Sequence, residues 1–113
     1  MHCFCDDEQE EIKYLKIEGD FGADAIWCDD CGSNLEIEDV TISNSLKEKL
    51  HQWALAFGEW IDLEQGRLFE NGLQMETAHN ELGEALAEEV QRELGEMYKV
   101  SFSPSTSARL YGN

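Results

Sequence analysis

Residues 25–35 read AIWCDDCGSNL and hold Cys28 and Cys31 with two residues between them, followed by Gly32. This spacing is typical of a zinc knuckle, in which a tight turn points both thiolates at one ion. The glycine after the second cysteine adopts a backbone shape that larger residues resist. Structural zinc needs four ligands, so this pair forms half of a site, and the rest of the chain has to supply the other half.

The second pair of ligands is predicted in the N-terminal HCFC, where Cys3 and Cys5 are separated by one residue. Twenty-two residues lie between Cys5 and Cys28, enough for a hairpin that brings both pairs to one end, as in a zinc ribbon. We therefore predict a structural zinc site of Cys3, Cys5, Cys28 and Cys31, in which His2 could replace one thiol. Such a closed site would stabilise the N-terminal zone and would not be catalytic.

Other interpretations of the cysteines remain open. A redox dithiol at Cys28 and Cys31 would need a helix that starts at Gly32, but GSNLEIEDV does not have a helical pattern. The surrounding carboxylates also disfavour the thiolate that a redox dithiol uses. The cysteines could instead be unligated, or they could hold iron in the manner of a rubredoxin, because four sulfur ligands do not by themselves select zinc.

The residues around this stretch predict a hairpin. Apolar and polar side chains alternate, with one slip, in IKYLKIEG (12–19), then Gly19 and Gly22 mark a turn, and DAIWC (24–28) leads into the cysteine pair. The segment NLEIEDVTI (34–42) alternates again. It fits either a third short strand or an extended linker.

Two helices are predicted after this zone. Ser45 and Glu48 form a capping box at the start of a helix over 45–58, and a longer helix covers about 74–95 with Gly95 as its C-cap. The apolar stripe of the longer helix is expected at Met75, Ala78, Leu82, Leu86, Val90 and Leu94. Possible strand pieces lie in EWIDLEQGRLFENG between the helices, and MYKVSFS after them alternates as a strand.

These elements predict an α+β fold: a small antiparallel sheet with two helices and an N-terminal zinc-ribbon-like hairpin. A chain of 113 residues has the length of one domain. We expect a single domain over 1–113, with a cysteine-bearing zone at 1–42 and a helix–helix–strand zone at 43–113.

The charge of the chain is strongly acidic. Twenty-five Asp and Glu residues face eight Lys and Arg, which gives a net charge of −17. Such a surface repels nucleic-acid phosphates and anionic lipids, so a macromolecular partner is expected to be a basic protein. The alternative is that the charge only keeps the protein soluble. The sequence shows neither a signal peptide nor a membrane span, which predicts a cytoplasmic protein whose cysteines bind metal in preference to forming disulfides.

Two other features are candidate functional groups. His79 lies on the apolar side of the longer helix, and we favour a half-buried structural histidine over a general base or ligand because no nucleophile accompanies it. Glu81, Glu84 and Glu88 form a like-charged stripe that costs helix stability and is either a solvated face or a mimic of a phosphate backbone. The sequence carries no phosphate-binding loop, hydrolase or EF-hand motif.

Four stretches, GDFGADAIWCDDCGSNLEIE, WALAFGEWIDLE, ETAHNELGEAL and FSPSTSARLYGN, together resemble a group of small uncharacterised acidic proteins of Bacillus and related bacteria. The resemblance spans nearly the whole chain. Its most specific part is the IWC-x-x-CG-x-NL knuckle, which is similar to one half of a zinc ribbon. The resemblance implies a bacterial cytosolic protein, and because the group has no assigned activity, it provides no catalytic residue to carry over.

We therefore predict a non-enzymatic, acidic, zinc-stabilised binding protein that engages a basic protein partner. An immunity or antitoxin protein that covers a cationic toxin is one such protein. Two alternatives stay open: a small enzyme that uses His79 and a glutamate, and a nucleic-acid mimic. Exposed aromatic side chains ringed by carboxylates would favour partner binding. A concave pocket that holds His79 beside an ionisable neighbour would favour catalysis.

Overall fold

A computed structural model describes residues 13–106 of the chain. Within this range the elements, in chain order, are β1 (Lys13–Glu18), β2 (Ile26–Cys28), a short 3-10 turn (Ile37–Asp39), α1 (Asn44–Leu55), β3 (Ile61–Asp62), β4 (Arg67–Leu68), α2 (Gly72–Leu94) and β5 (Tyr98–Ser103). Two helices and a small sheet make an α+β fold, as predicted.

The sheet places β1 in the centre, in the order β2-β1-β5. β1 and β2 form the predicted antiparallel hairpin, with Leu15 opposite Cys28. β5 runs parallel to β1, with Leu15 opposite Val100 and Ile17 opposite Phe102, so the sheet is mixed and the antiparallel expectation is wrong for its last strand. Parallel pairing needs a long crossover connection, and the segment between β1 and β5, which contains both helices, supplies it. Side-chain alternation predicts a strand but does not give its direction.

The segment after β2 is a linker that contacts the rest of the fold at several positions. It makes one isolated bridge, between Trp27 and Asn34, and then the 3-10 turn. The Asn34 side chain accepts a hydrogen bond from the Asp24 N–H (3.0 Å) and donates one to the Asp24 carbonyl (2.8 Å). Buried Leu35, Val40 and Ile42 anchor its apolar positions. Of the two predicted alternatives, the extended linker is therefore the closer description.

Helix α1 begins at a different serine from the predicted one. Ser43 is the N-cap, and its hydroxyl accepts a hydrogen bond from the Leu46 N–H at 3.2 Å. The Glu93 carboxylate of α2 accepts from the Ser43 N–H (2.6 Å) and from its hydroxyl (2.8 Å). The capping box predicted at Ser45 is therefore wrong. The carboxylate that accepts from the N-cap N–H belongs to Glu93, 50 residues from Ser43, and not to Glu48.

Helix α2 is rotated relative to the predicted apolar stripe. Leu86 and Val90 are buried as expected, but Ala78 is exposed and Leu82 is 53% exposed. Gly83 faces the core instead, since a Cβ atom there would lie 2.5 Å from Phe102 and 2.7 Å from Trp53. The close approach of two aromatic rings thus fixes the rotation of the helix. Its end is as predicted: Gly95 is the C-cap, with a φ of 83° that favours glycine.

One face of the sheet packs against both helices to form the main core. Its buried residues are Leu15, Ile17, Ala25, Ile26, Cys28, Leu35, Val40, Ile42, Leu46, Leu50, Trp53, Leu86, Ala87 and Val90. A smaller cluster around Trp60 and Ile61 lies under the β3–β4 hairpin. Within residues 13–106 no helix is long and apolar enough to cross a membrane.

The packing of Gly83 generates a stability prediction. Glycine in a helix interior ordinarily costs about 1 kcal/mol relative to alanine, so Gly83→Ala would stabilise an open helix. Here the added methyl group meets Phe102 and Trp53, and we expect the free energy of unfolding to fall by about 1–2 kcal/mol in urea denaturation. Ala85→Gly at an exposed position of α2 is the control and should also destabilise, by about 1 kcal/mol. A more stable Gly83→Ala protein would contradict this account of the helix rotation.

Candidate partner-binding surface

The structure describes half of the predicted zinc site. Cys28 ends β2 with its side chain buried in the core, at 4% exposure, while Cys31 is exposed and its thiol donates a hydrogen bond to the Ser33 hydroxyl at 3.1 Å. Gly32 has a φ of 77°, which is the turn shape predicted for a knuckle. Cys3, Cys5 and His2 lie outside the described residues. Over residues 13–106, no group of three or more His, Cys, Asp or Glu side chains could hold a metal. The zinc site stays a prediction.

His79 is a structural residue that joins the two helices. Its Nε2 lies 2.9 Å from the Trp53 carbonyl, and the Trp53 indole N–H donates to the His79 carbonyl at 2.8 Å. The two rings stack with centroids 4.4 Å apart and planes 10° apart. The carbonyl partner assigns the proton to Nε2, while the buried Nδ1 has no hydrogen-bond partner among residues 13–106. Each helix is thereby bound through one of its side chains to the backbone of the other.

Burial keeps His79 neutral. Desolvation lowers the pKa of His79 below its ordinary value of 6.5, and this effect outweighs the hydrogen bond to Trp53 and the carboxylates of Glu59 and Glu76, which act in the opposite direction. A proton on this ring would bring a charge into the interior. The histidine therefore contributes packing and a hydrogen bond, in line with the structural role favoured from the sequence.

A groove between the helices has an apolar floor, and two acidic side chains and one basic side chain line it. It encloses about 540 Å³. Its lining residues are Glu48, Lys49, Gln52, Trp53, Ala56, His79, Leu82, Leu86 and Glu89. A salt bridge of 3.3 Å joins Lys49 to Glu89 across its rim. Glu48 accepts a hydrogen bond of 2.9 Å from the Gln52 side chain, so the groove is mildly acidic and most of its charge is already paired or hydrogen-bonded.

The opposite side of α2, toward β5, carries three carboxylates and one cation, Arg92, along its hollows. Glu81, Glu84 and Glu88 are exposed, and no salt bridge involves them among the residues that the structure describes. Two hollows of about 430 and 440 Å³ lie along this side and share Glu84 and Phe102. We refer to the surface formed by Glu81, Glu84, Glu88, Val100 and Phe102 as the acidic face. It combines free carboxylates with half-buried apolar side chains.

Three side chains of α2 make contacts beside this face that the sequence did not predict. Gln91 binds the backbone of β5, Asn80 binds the backbone of Ser105, and Glu76 accepts a hydrogen bond of 2.8 Å from the Ser105 hydroxyl. The Gln91 contacts span 7 and 9 residues, and those of Asn80 and Glu76 span 25 and 29. No local pattern predicts them, because an isolated Asn or Gln in a helix has no motif around it.

His79 lines the groove beside ionisable side chains, as the enzyme alternative requires, but its ring is engaged in stacking on Trp53 and in a hydrogen bond to the Trp53 carbonyl, so it is not available as a general base. A family model, Serratia CdiI immunity protein-like, matches residues 13–105, and the chain belongs to that family. No curated protein matches the chain. The family confirms the expectation of a bacterial, immunity-like protein that acts by engaging a protein partner. The resemblance to Bacillus proteins stays a prediction.

The neutral state of His79 predicts a pH dependence of stability. Below about pH 6.5 the unfolded chain takes up a proton that the native ring resists, so this residue lowers the free energy of unfolding as the pH falls. Protonation of surface carboxylates relieves their mutual repulsion and raises the free energy of unfolding as the pH falls. The contribution of His79 is therefore measured as the difference between wild-type protein and a variant that lacks the imidazole. Between about pH 7.5 and pH 5.5, wild-type protein should lose more stability in urea denaturation than His79→Gln, which keeps a neutral donor. Equal losses would show that His79 does not titrate differently in the two states.

The cysteines generate a metal prediction. We expect about one zinc ion per chain by elemental analysis of protein purified under reducing conditions. Cys31→Ser should lose it, and because Cys31 is exposed, this change leaves the core in place. Ser33→Ala, which alters a neighbour of the thiol but not a predicted ligand, should keep the metal. Folded wild-type protein without any metal would refute the prediction.

Proposed function

We propose that this chain neutralises a basic toxin by binding it through the acidic face. The proposal is carried by one observation: Glu81, Glu84 and Glu88 stand exposed side by side on α2 with no salt bridge in the described part of the chain. Membership of an immunity protein family supports a toxin as the partner. The net charge of −17 supports the basic character of that toxin.

Repulsion within α2 adds a physical reason for binding a cation. Glu81 and Glu84 are three residues apart and Glu84 and Glu88 are four apart, so each pair of like charges lies on one side of the helix. Each such pair destabilises a helix by roughly 0.2–0.5 kcal/mol. A basic partner surface would remove this repulsion on binding, and the long-range field of the acidic protein would speed the encounter.

The apolar part of the acidic face supplies contact area as well as charge. Val100 and Phe102 are half-buried and line the hollows between α2 and β5. Binding energy in protein interfaces comes mainly from a few well-packed anchors, with charges at the rim adding specificity and speed. An arginine of the partner fits both requirements, because its guanidinium binds carboxylates while its stem covers apolar surface.

The predicted zinc would stabilise this protein without taking part in binding. Cys28 lies on β2, which is at the opposite edge of the sheet from β5. A metal held there would support the β1–β2 hairpin, and the acidic face would lie beyond the central strand. The proposal therefore assigns folding to the metal and recognition to α2 and β5.

Charge reversal tests the proposed function. The candidate partners are the polypeptides encoded on either side of this chain in its own genome, expressed and purified one by one. Glu84→Lys/Glu88→Lys should weaken binding of the toxin on the order of 100-fold, about 2.7 kcal/mol, in titration calorimetry, because like charges then face each other. Wild-type affinity should also fall as salt is raised.

The matched control reverses two carboxylates elsewhere. Glu36→Lys/Glu38→Lys changes the net charge by the same amount near the 3-10 turn, away from α2 and β5, and it should bind within about threefold of wild type at moderate salt. Equal weakening by both double variants would show that net charge alone acts, and would contradict a specific acidic face. If the wild-type protein binds none of the purified neighbouring polypeptides, the proposed function itself is contradicted.

A further inference from the structure

The outer edge of β5 leaves backbone groups of Val100 and Phe102 without a hydrogen-bond partner among residues 13–106. β5 is the last strand of the described sheet and pairs with β1 on one side. The Lys13 N–H donates to the Met97 carbonyl at 2.9 Å, and the Val100 N–H donates to Gln91 on α2 at 2.8 Å. Because N–H and C=O groups alternate in direction along a strand, Lys99 and Ser101 turn theirs toward β1. Val100 and Phe102 turn theirs outward.

Helix α2 closes this edge at both ends with side-chain amides. Gln91 accepts from the Val100 N–H and donates to the Tyr98 carbonyl at 2.8 Å, as a neighbouring strand would. Beyond the strand, Asn80 accepts from the Ser105 N–H at 2.8 Å and donates to the Ser105 carbonyl at 3.1 Å. Edge strands are commonly protected in such ways against pairing with other chains.

Between these two amides the edge is open. Within residues 13–106, the hydrogen bonds from loops and side chains reach neither the Val100 carbonyl nor the N–H and C=O of Phe102. The outward direction of these groups rules out the ladder with β1 as their partner. One donor and two acceptors therefore lie along the edge between the Val100 carbonyl and the Phe102 carbonyl. An antiparallel strand needs no more than this to exchange both bonds of one residue pair.

The surroundings of the opening decide what can fill it. Phe102 and Glu84 line both hollows of the acidic face, with Glu88 on one side and Glu81 on the other. Arg92 lines the hollow that holds Glu88, so the two hollows together carry three carboxylates and one cation. The side chains of an added strand would lie against these carboxylates. An acidic or phosphate-bearing chain would be repelled, whereas lysine or arginine side chains would be bound.

The geometry points to strand addition at Phe102: an extended, basic segment of the toxin pairs its backbone with the N–H and C=O of Phe102 and places its cationic side chains against Glu84 and Glu88. This inference rests on the proposed function for the identity of the partner, and it adds the mode of recognition. Backbone pairing fixes the register of the segment, and the carboxylates select its charge.

Residue-specific amide hydrogen exchange, followed by NMR, tests the inference on the full chain alone and in its complex with the toxin used above. The Phe102 amide should exchange rapidly in the free chain and at least about tenfold more slowly in the complex. The Ser101 amide, which points toward β1, is the internal control and should be protected in both states. Glu84→Gln/Glu88→Gln should bind more weakly, yet at saturating toxin its Phe102 amide should still be protected.

The outcomes separate the two proposals. Binding of the toxin with no change in Phe102 exchange would overturn strand addition and leave the proposed function standing. A Phe102 amide that is already protected in the free chain would also overturn it, because the edge would then be closed. Absence of binding by the wild-type chain would overturn the proposed function and strand addition together.

Discussion

The stacked rings of Trp53 and His79, closed by two reciprocal hydrogen bonds, hold the helical half of this protein together. Each bond runs from a side chain to the backbone of the other helix, so neither helix can slide or rotate without breaking one. The Trp53 carbonyl lies in the last turn of α1, where carbonyls lack a partner within the helix. The His79 ring therefore satisfies a group that would otherwise be buried at a cost.

This pair also connects the other parts of the structure. The Trp53 ring meets Phe102 of β5 edge-on at 6.3 Å, and the His79 ring lies 5.0 Å from Trp60 in the smaller cluster. Gly83 leaves space for the rings of Trp53 and Phe102 to approach α2. This rotation of α2 also determines where the rest of its surface lies. Leu82 turns outward, and the stripe of glutamates comes to lie beside β5.

The features of this fold that depend on a few neighbouring residues could be predicted from the sequence. The β1–β2 hairpin, the extent of α2 and its glycine cap could be predicted because alternation, helical periodicity and a left-handed glycine act over a few residues. The direction of β5, the cap at Ser43 and the rotation set by Gly83 could not, because each depends on a residue from a distant element. Glu93 at Ser43 is the clearest example, since nothing near Ser43 announces it.

The candidate site divides in the same way. The like-charged stripe of α2 is visible in the sequence as spacing and sign. Its position beside Phe102 and the open edge is set by the parallel pairing of β5, which no local pattern contains. For the cysteines, the turn at Gly32 could be predicted from the knuckle spacing, whereas convergence with Cys3 and Cys5 is a matter of tertiary structure and stays a prediction.

The parallel pairing of the first and last described strands has a consequence for the order of folding. The Ser101 hydroxyl donates to the Leu15 carbonyl across 86 residues of sequence, and the residues paired in the β1–β5 ladder are 85 apart. Because β5 follows both helices in the chain, the central strand gains its second neighbour only after both helices have been synthesised. Until then β1 pairs with β2 alone. Closing so long a loop costs entropy before any contact offsets it, so the side of the sheet that carries the acidic face forms after the β1–β2 hairpin.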